Sequence, residues 1–341
     1  MSFKRFDTED IAISAESVVA PLWSTDSIEL TSFFTSSAQV ASNTGNYYYT
    51  IYDTDINLVA NADTARAQMA LTFGHKTGLG DAPFNPQVPG KSPTSTIYGQ
   101  YRNLVFGDEE TDFNFAGETS DFFYAISLDR SRYKEKLFPG TFELKLTNGG
   151  DTIHLTDNSN DLTTVSYVDA GRVYDIISGS AGTSYAAGVT GNTPSNGSYG
   201  KFLPDVGVIL LNGKALDGSF ADGGIGLGTA VTDGGLENNI KKIYNAIYAG
   251  GSFKLQSEET ISSNFVFVRV RNSEFNYSTN PSNITGSGEL RHDVMINTPQ
   301  AYITTVGLYN DNNDLLGVAK LSRPLLKDFT SEALIRIKLD Y

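Results

Sequence analysis

Hydrophobic and polar positions alternate in short runs along most of the chain. Between Leu30 and Tyr52, Phe33 and Phe34 stand on one side of a Ser/Asn/Gly stretch and the run Tyr47-Tyr48-Tyr49-Thr50-Ile51-Tyr52 on the other, which predicts an early hairpin. Asp63 is placed to cap a helix carrying Ala65, Met69 and Phe73 at four-residue spacing, and a second helix is expected around Ile97, Tyr101 and Leu104, with a Gly/Pro loop from Gly78 to Pro93 between them. Four β-type runs follow, Phe122 to Leu128, Thr141 to Leu146, Thr163 to Val168 and Arg172 to Ser178, separated by turn residues as in a meander or sandwich.

The pattern then changes. Ser178 to Gly200 is 23 residues with six glycines and no charge, a composition that reads as a long loop. The wider span Gly149 to Gly235 holds 18 of the 33 glycines and reads as a loop-rich insertion around one strand, Val206 to Leu211. An amphipathic helix comes next, with Asp233 as its expected cap, Leu236, Ile240, Ile243, Tyr244 and Ile247 on one face, and Gly250-Gly251 at its end.

The remainder is β again. Phe265 to Arg271 carries apolar residues on both faces at its start, as a strand buried on both sides would. Ala301 to Asn310 and Leu315 to Leu321 flank the turn Asp311-Asn312-Asn313-Asp314, and Ala333 to Tyr341 alternates apolar and charged residues from Ile335 onward. The fold class expected is mainly β with a few helices (α+β), built of β-sandwich or meander domains. The expected divisions are residues 1–60, a docking segment and hairpin; 61–177, a mixed β-rich domain; 178–235, the Gly-rich insertion; and 236–341, a helix plus β domain.

Composition narrows the function classes. In 341 residues, 39 Asp and Glu against 25 Lys and Arg give a formal charge of −14, which argues against a nucleic-acid binder, while 40% hydrophobic and 19% charged residues argue against a disordered acidic chain. Cysteine is absent, so disulfides, thiolate metal sites and cysteine nucleophiles are excluded. No apolar run follows Lys4-Arg5, so neither a secretory signal nor a transit peptide is expected, and no stretch reaches the roughly 20 apolar residues of a spanning helix.

Candidate chemistry is sparse. His75, His154 and His292 stand alone, outside HxH or HExxH spacing, and no GxSxG elbow marks a serine. Asp108-Glu109-Glu110 with Asp112 reads as a solvated acidic loop, and Asp311 to Asp314 lacks the glycine and glutamate of a calcium loop. Gly223 to Gly228 lacks the spacing of a dinucleotide fingerprint. Arg130-Ser131-Arg132-Tyr133-Lys134-Glu135-Lys136 reads as an ion-pair site between subunits or on the surface. Catalytic, metal and cofactor residues are therefore set at none.

Four stretches carry a resemblance. Met1 to Asp10 leading into Ser14-Ala15-Glu16-Ser17 and Pro21-Leu22-Trp23, the run Ile97-Tyr98-Gly99-Gln100-Tyr101-Arg102-Asn103-Leu104, the segment Arg132 to Gly140 with Leu155 to Ser159, and the ending from Val306-Gly307-Leu308-Tyr309-Asn310 through Leu315 to Pro324 and Lys338-Leu339-Asp340-Tyr341 resemble structural proteins of contractile-tailed bacteriophages, particularly those of marine cyanobacteria. The resemblance implies a virion protein of the tail, a baseplate wedge subunit assembled in the host cytoplasm and working by contact with other tail proteins. It would be homo-oligomeric or multi-copy in the virion, without enzymatic activity, cofactor, nucleic acid or membrane insertion. The interface residues expected are Phe3, Arg5, Phe6, Trp23, Arg132, Tyr133, Ile335, Ile337, Leu339 and Tyr341. The alternatives are a host-recognition or fibre-attachment protein using the Gly/Ser/Tyr loop Ser184 to Tyr199 for glycans, and a secreted glycan-active β-protein.

Overall fold

The computed structural model describes residues 4–37, 47–80, 92–185, 196–228, 236–278 and 280–340. In chain order its strands are β1 (Ile11–Pro21), β2 (Glu29–Leu30), β3 (Tyr48–Tyr52), β4 (Ala67–His75), β5 (Asn114–Phe115), β6 (Glu118–Thr119) and β7 (Phe122–Leu128). Then come β8 (Lys136–Leu137), β9 (Glu143–Asn148), β10 (Asp151–Asp157), β11 (Ser166–Val168), β12 (Gly171–Ser180), β13 (Thr183–Ser184), β14 (Gly200–Leu203) and β15 (Val208–Asn212). The last are β16 (Phe253–Lys254), β17 (Gln256–Val270), β18 (Ala301–Tyr309), β19 (Leu315–Lys327) and β20 (Ala333–Asp340). Helices α1 (Pro93–Phe106), α2 (Gly213–Asp217), α3 (Leu236–Gly250) and α4 (Val294–Asn297) complete a mainly β, α+β molecule. Two compact units form, a large one from Val18–Glu259 and a small one from Met1–Ser17 with Thr260–Tyr341.

In the large unit an antiparallel sheet runs β2-β16-β9-β10-β12-β14-β15-β7-β4-β3, with β11 and β13 attached to β12. Its central strands are apolar on both faces because the sheet separates two apolar clusters. In β7, Tyr124, Ile126 and Leu128 enter the larger cluster while Phe123 and Ala125 enter the smaller; in β15, Ile209 and Leu211 enter the larger and Leu210 the smaller. Helix α3 places Ile240, Ile243, Ala246 and Ile247 in the larger cluster, and α1 places Tyr98 and Val105 in the smaller. The apolar stripe of α3 thus has the partner its periodicity requires, and Gly251, at φ +68°, closes it with its N–H donating to Ile247 O at 3.0 Å.

Several expectations are corrected. Ala67–His75 is a strand pairing with β3 and β7, not a helix capped by Asp63, because Met69, Leu71 and Phe73 are all buried at two-residue spacing. The early hairpin reduces to one bridge, Phe34 to Tyr52, since β2 pairs with β16 and β3 with β4. The glycine-rich span holds six strands and α2 besides its turns, and Tyr199, within the stretch expected to be a long loop, is fully buried and donates to Gly223 O at 2.6 Å. Its glycines serve short connections: Gly171, Gly207 and Gly223 lie at positive φ. In α1, Ile97 is buried as expected, but Leu104 is exposed and Tyr98 takes the inward position. The Gly78 to Pro93 loop and the Asp233 cap fall largely or wholly outside the described residues.

In the small unit β17 lies between β1 and β20, and β20 pairs with it antiparallel from Ala333↔Val270 to Asp340↔Ser263. The hairpin β18–β19 turns at Asp311 to Asp314, as expected, with Asn313 at φ +64°. One face of the hairpin (Ile303, Val306, Leu308, Ala319, Leu321) packs with Phe6 and Val268 on the buried trio Val266, Ile335 and Ile337. β17 is therefore buried on one face at Val266 and Val270, while Phe265 and Phe267 stay half-buried on the other, a correction to the expectation of burial on both.

Candidate interaction surface

An 11-residue strand with repeated Ile and Val should bury one face. In β1 every residue is exposed, Ile13 at 76% and Ile11 at 43%. β1 also forms one margin of its sheet, so its backbone has a neighbour on one side only.

The hairpin repeats the pattern. Alternation sends Val306 and Leu308 to the core and leaves Leu316 and Val318 outward at 71 and 60% exposure, and the irregularity between Ile303 and Thr305 turns Tyr302 outward as well, at 64%. Register places Val318 opposite Gly307, over which the Tyr309 ring lies, so the face near the turn is low and apolar, with Lys320 next along it opposite Thr305.

The outward face of β17 and β20 differs in charge. Ser263, Phe265, Phe267 and Arg269 alternate with the core residues of β17, and opposite them stand Asp340, Lys338, Arg336 and Leu334. Arg336 lies over the Phe265 ring at 5.6 Å and the Lys338 ammonium at 6.0 Å, a cation–π arrangement. Lys338 pairs with Asp340 at 3.0 Å, and Ser263 donates to the same carboxylate at 2.6 Å; these two contacts hold the Asp340 carboxyl below the usual range, the serine hydrogen bond first. Among the described residues, Arg269 and Arg336 have no carboxylate within ion-pair distance. At the end of β19 Lys327 is fully buried, its ammonium donating to Asn272 O at 3.0 Å, Asn276 Oδ1 at 2.6 Å and Asp328 O at 2.6 Å, which fixes the segment after β17 to the end of β19.

The expected interface residues fall into different places. Arg5 and Leu339 are exposed, Phe6 is half-buried against the core of the small unit, and Ile335 and Ile337 belong to that core. Trp23 is a core residue of the large unit, edge-on to Phe253 at 5.0 Å with its indole N–H donating to Ile28 O at 3.2 Å. Tyr133 is buried beneath Arg130, whose guanidinium carbon stands 4.5 Å from the ring centre, and Arg132 is half-buried with a bond to Ser131 Oγ at 3.0 Å. Lys134 pairs with Glu259 at 2.9 Å and Lys136 with Glu135 at 3.5 Å, so these cations are engaged within the chain. Phe3 and Tyr341 lie outside the described residues. Tyr302, Leu316 and Val318 carry no mark of exposure in the sequence, because alternation shows that a strand has two faces without showing which one the chain covers.

Other polar groups have structural partners. Burial lowers the His75 pKa to about 4; its ring stacks on Phe122 at 5.9 Å, and Nδ1 accepts from Thr77 N–H at 3.1 Å. The Asp108 carboxylate accepts from the backbone N–H groups of Glu110 and Thr111 at 2.9 and 2.7 Å, and Asp112 pairs with Lys76 at 2.6 Å, so this acidic run closes a turn. Among the described residues no group of three or more His, Asp or Glu is placed to hold a metal ion, and no helix is long and apolar enough to cross a membrane. Comparison with protein-family models, with curated proteins and with solved structures found no match for this chain.

Proposed function

We propose that the chain is a structural protein of a contractile phage tail, a baseplate wedge subunit in the virion that acts by assembly with neighbouring tail proteins. The observation that carries this reading is the apolar surface of the small unit, where the exposed part of β1 and the outward face of β18–β19 offer Ile11, Ile13, Tyr302, Leu316 and Val318 to a partner. Resemblance of the four sequence stretches to contractile-tail proteins supports the same role. The function is mechanical: partners are held in one arrangement before infection and released into another when the baseplate opens.

Deleting residues 333–341 would be a poor test, since it removes Ile335 and Ile337 from the core. The better variant is Leu316→Lys with Val318→Lys, both on exposed positions where stability should move by no more than about 0.5 kcal/mol each. Purified tails from infections complemented with this variant should contain at least tenfold less of the chain than wild type; normal incorporation of the folded variant would refute the role given to this surface.

A further inference from the structure

Resting on the assembly reading, we propose that the open edge of β20 takes up an extended partner segment in which acidic residues alternate with apolar ones. β20 pairs with β17 over eight residues, and among the described residues its backbone makes no hydrogen bond to another element. The unpaired margin of such a strand is a template for strand addition, main-chain bonds giving affinity and alternate side chains giving choice of partner.

The side chains define the partner. A strand laid beside β20 has its residues directly opposite those of β20, roughly 4.5–5.5 Å away between Cβ atoms. Residues opposite Ile335 and Ile337 lie on the core side and must be apolar to extend the layer those two form with Val266. Residues opposite Arg336 and Lys338 lie on the outward side, where Arg269 adds a third cation and Asp340 is already held by Ser263 and Lys338. Carboxylates there would meet Arg336, which has no ion-pair partner among the described residues, while Arg269 of β17 stays one strand further off and adds to the positive field of this face.

The same charges act against other occupants. A second copy of β20 would bring Arg336 and Lys338 against their own kind, and a purely apolar strand would leave them unmatched. The setting is also uneven. The small unit carries 10 Lys and Arg against 12 Asp and Glu, the large unit 15 against 27, so −2 and −12 make up the −14. An acidic segment is therefore repelled far less by the small unit than by the large one.

The test uses the full chain and three blocked, fluorescein-labelled eight-residue peptides: alternating glutamate and valine, the same with lysine for glutamate, and the glutamate peptide N-methylated at alternate positions so that it cannot pair. By fluorescence anisotropy at low salt the glutamate peptide should bind at least tenfold more tightly than the lysine peptide, and N-methylation should abolish binding. In Arg336→Glu/Lys338→Glu, with folding checked by its thermal melt, the preference should invert; Arg336→Gln should weaken glutamate-peptide binding severalfold if the double variant does not fold. Equal binding of both charged peptides, indifference to these substitutions, or self-association through β20 in place of peptide binding would overturn the proposal. If the Leu316→Lys/Val318→Lys chain is excluded from tails while the glutamate peptide shows no preference, the assembly reading stands and this occupant falls.

Discussion

His75 ends β4 inside an aromatic stack, and burial keeps its imidazole neutral. The folded pKa, about 4, lies below the unfolded value near 6.5, so between those limits the unfolded chain binds the extra proton; Asp121 offsets only part of this. Stability should therefore fall as pH drops from about 6.5 through 4. Substituting His75→Gln, which keeps an acceptor for Thr77 N–H, should remove this loss, worth about 2 kcal/mol after allowing for partial solvent access. Urea unfolding of both proteins at pH 7.5 and pH 4 checks it, with an equal pH response as the contrary result. The isolated position of His75 in the sequence signalled a structural histidine. Its depressed pKa was not legible, because the stack with Phe122 joins residues brought together by the β4–β7 register. Trp23 and Tyr133 teach the converse: aromatic residues in a suggestive motif became core because tertiary contacts decide burial.

Among the elements, strands and helices with one covered face were legible, and those set by distant pairing were not. α3 follows from its 3.6-residue stripe and β18–β19 from its turn, whereas β4 does not, because four-residue spacing satisfies both a helix face and every second step of a strand. Glycines in the 149–235 span read as loop, but many occur where short strands turn or approach closely. Gly250, beyond that span at the end of α3, shows the same kind of close approach: a Cβ there would collide with the Lys145 carbonyl oxygen of β9. Replacing a helical Gly by Ala normally stabilises by about 0.5–1 kcal/mol, but Gly250→Ala should destabilise by about 1–3 kcal/mol because the end of α3 must move off β9. Chemical denaturation decides the sign; a gain in stability would show that the close approach is relieved without cost.

Across the whole molecule, net charge is uneven between the two units, and exposed apolar side chains occur in both, Val59 and Tyr167 in the large one and Ile13 and Leu316 in the small one. The large unit carries −12 and two interior clusters, while the small unit is nearly neutral, with an apolar core cluster of three buried residues. From Pro299 onward five acids balance five bases, which is legible in the sequence; that Tyr302, Leu316 and Val318 remain uncovered is not, since it depends on how many layers the fold stacks. Ion pairs with the basic face should be screened by salt while apolar contacts persist, so attachment through both should weaken without vanishing between about 0.05 and 0.5 M NaCl, a range over which the Debye length shrinks from about 14 Å to about 4 Å. The central claim is that this small unit is completed by neighbouring tail proteins. A cryo-EM map of intact tail particles tests it most directly: the account predicts the chain in the baseplate with Ile13, Tyr302, Leu316 and Val318 buried against other subunits, and a map in which those side chains face solvent, or from which the chain is missing, would contradict it.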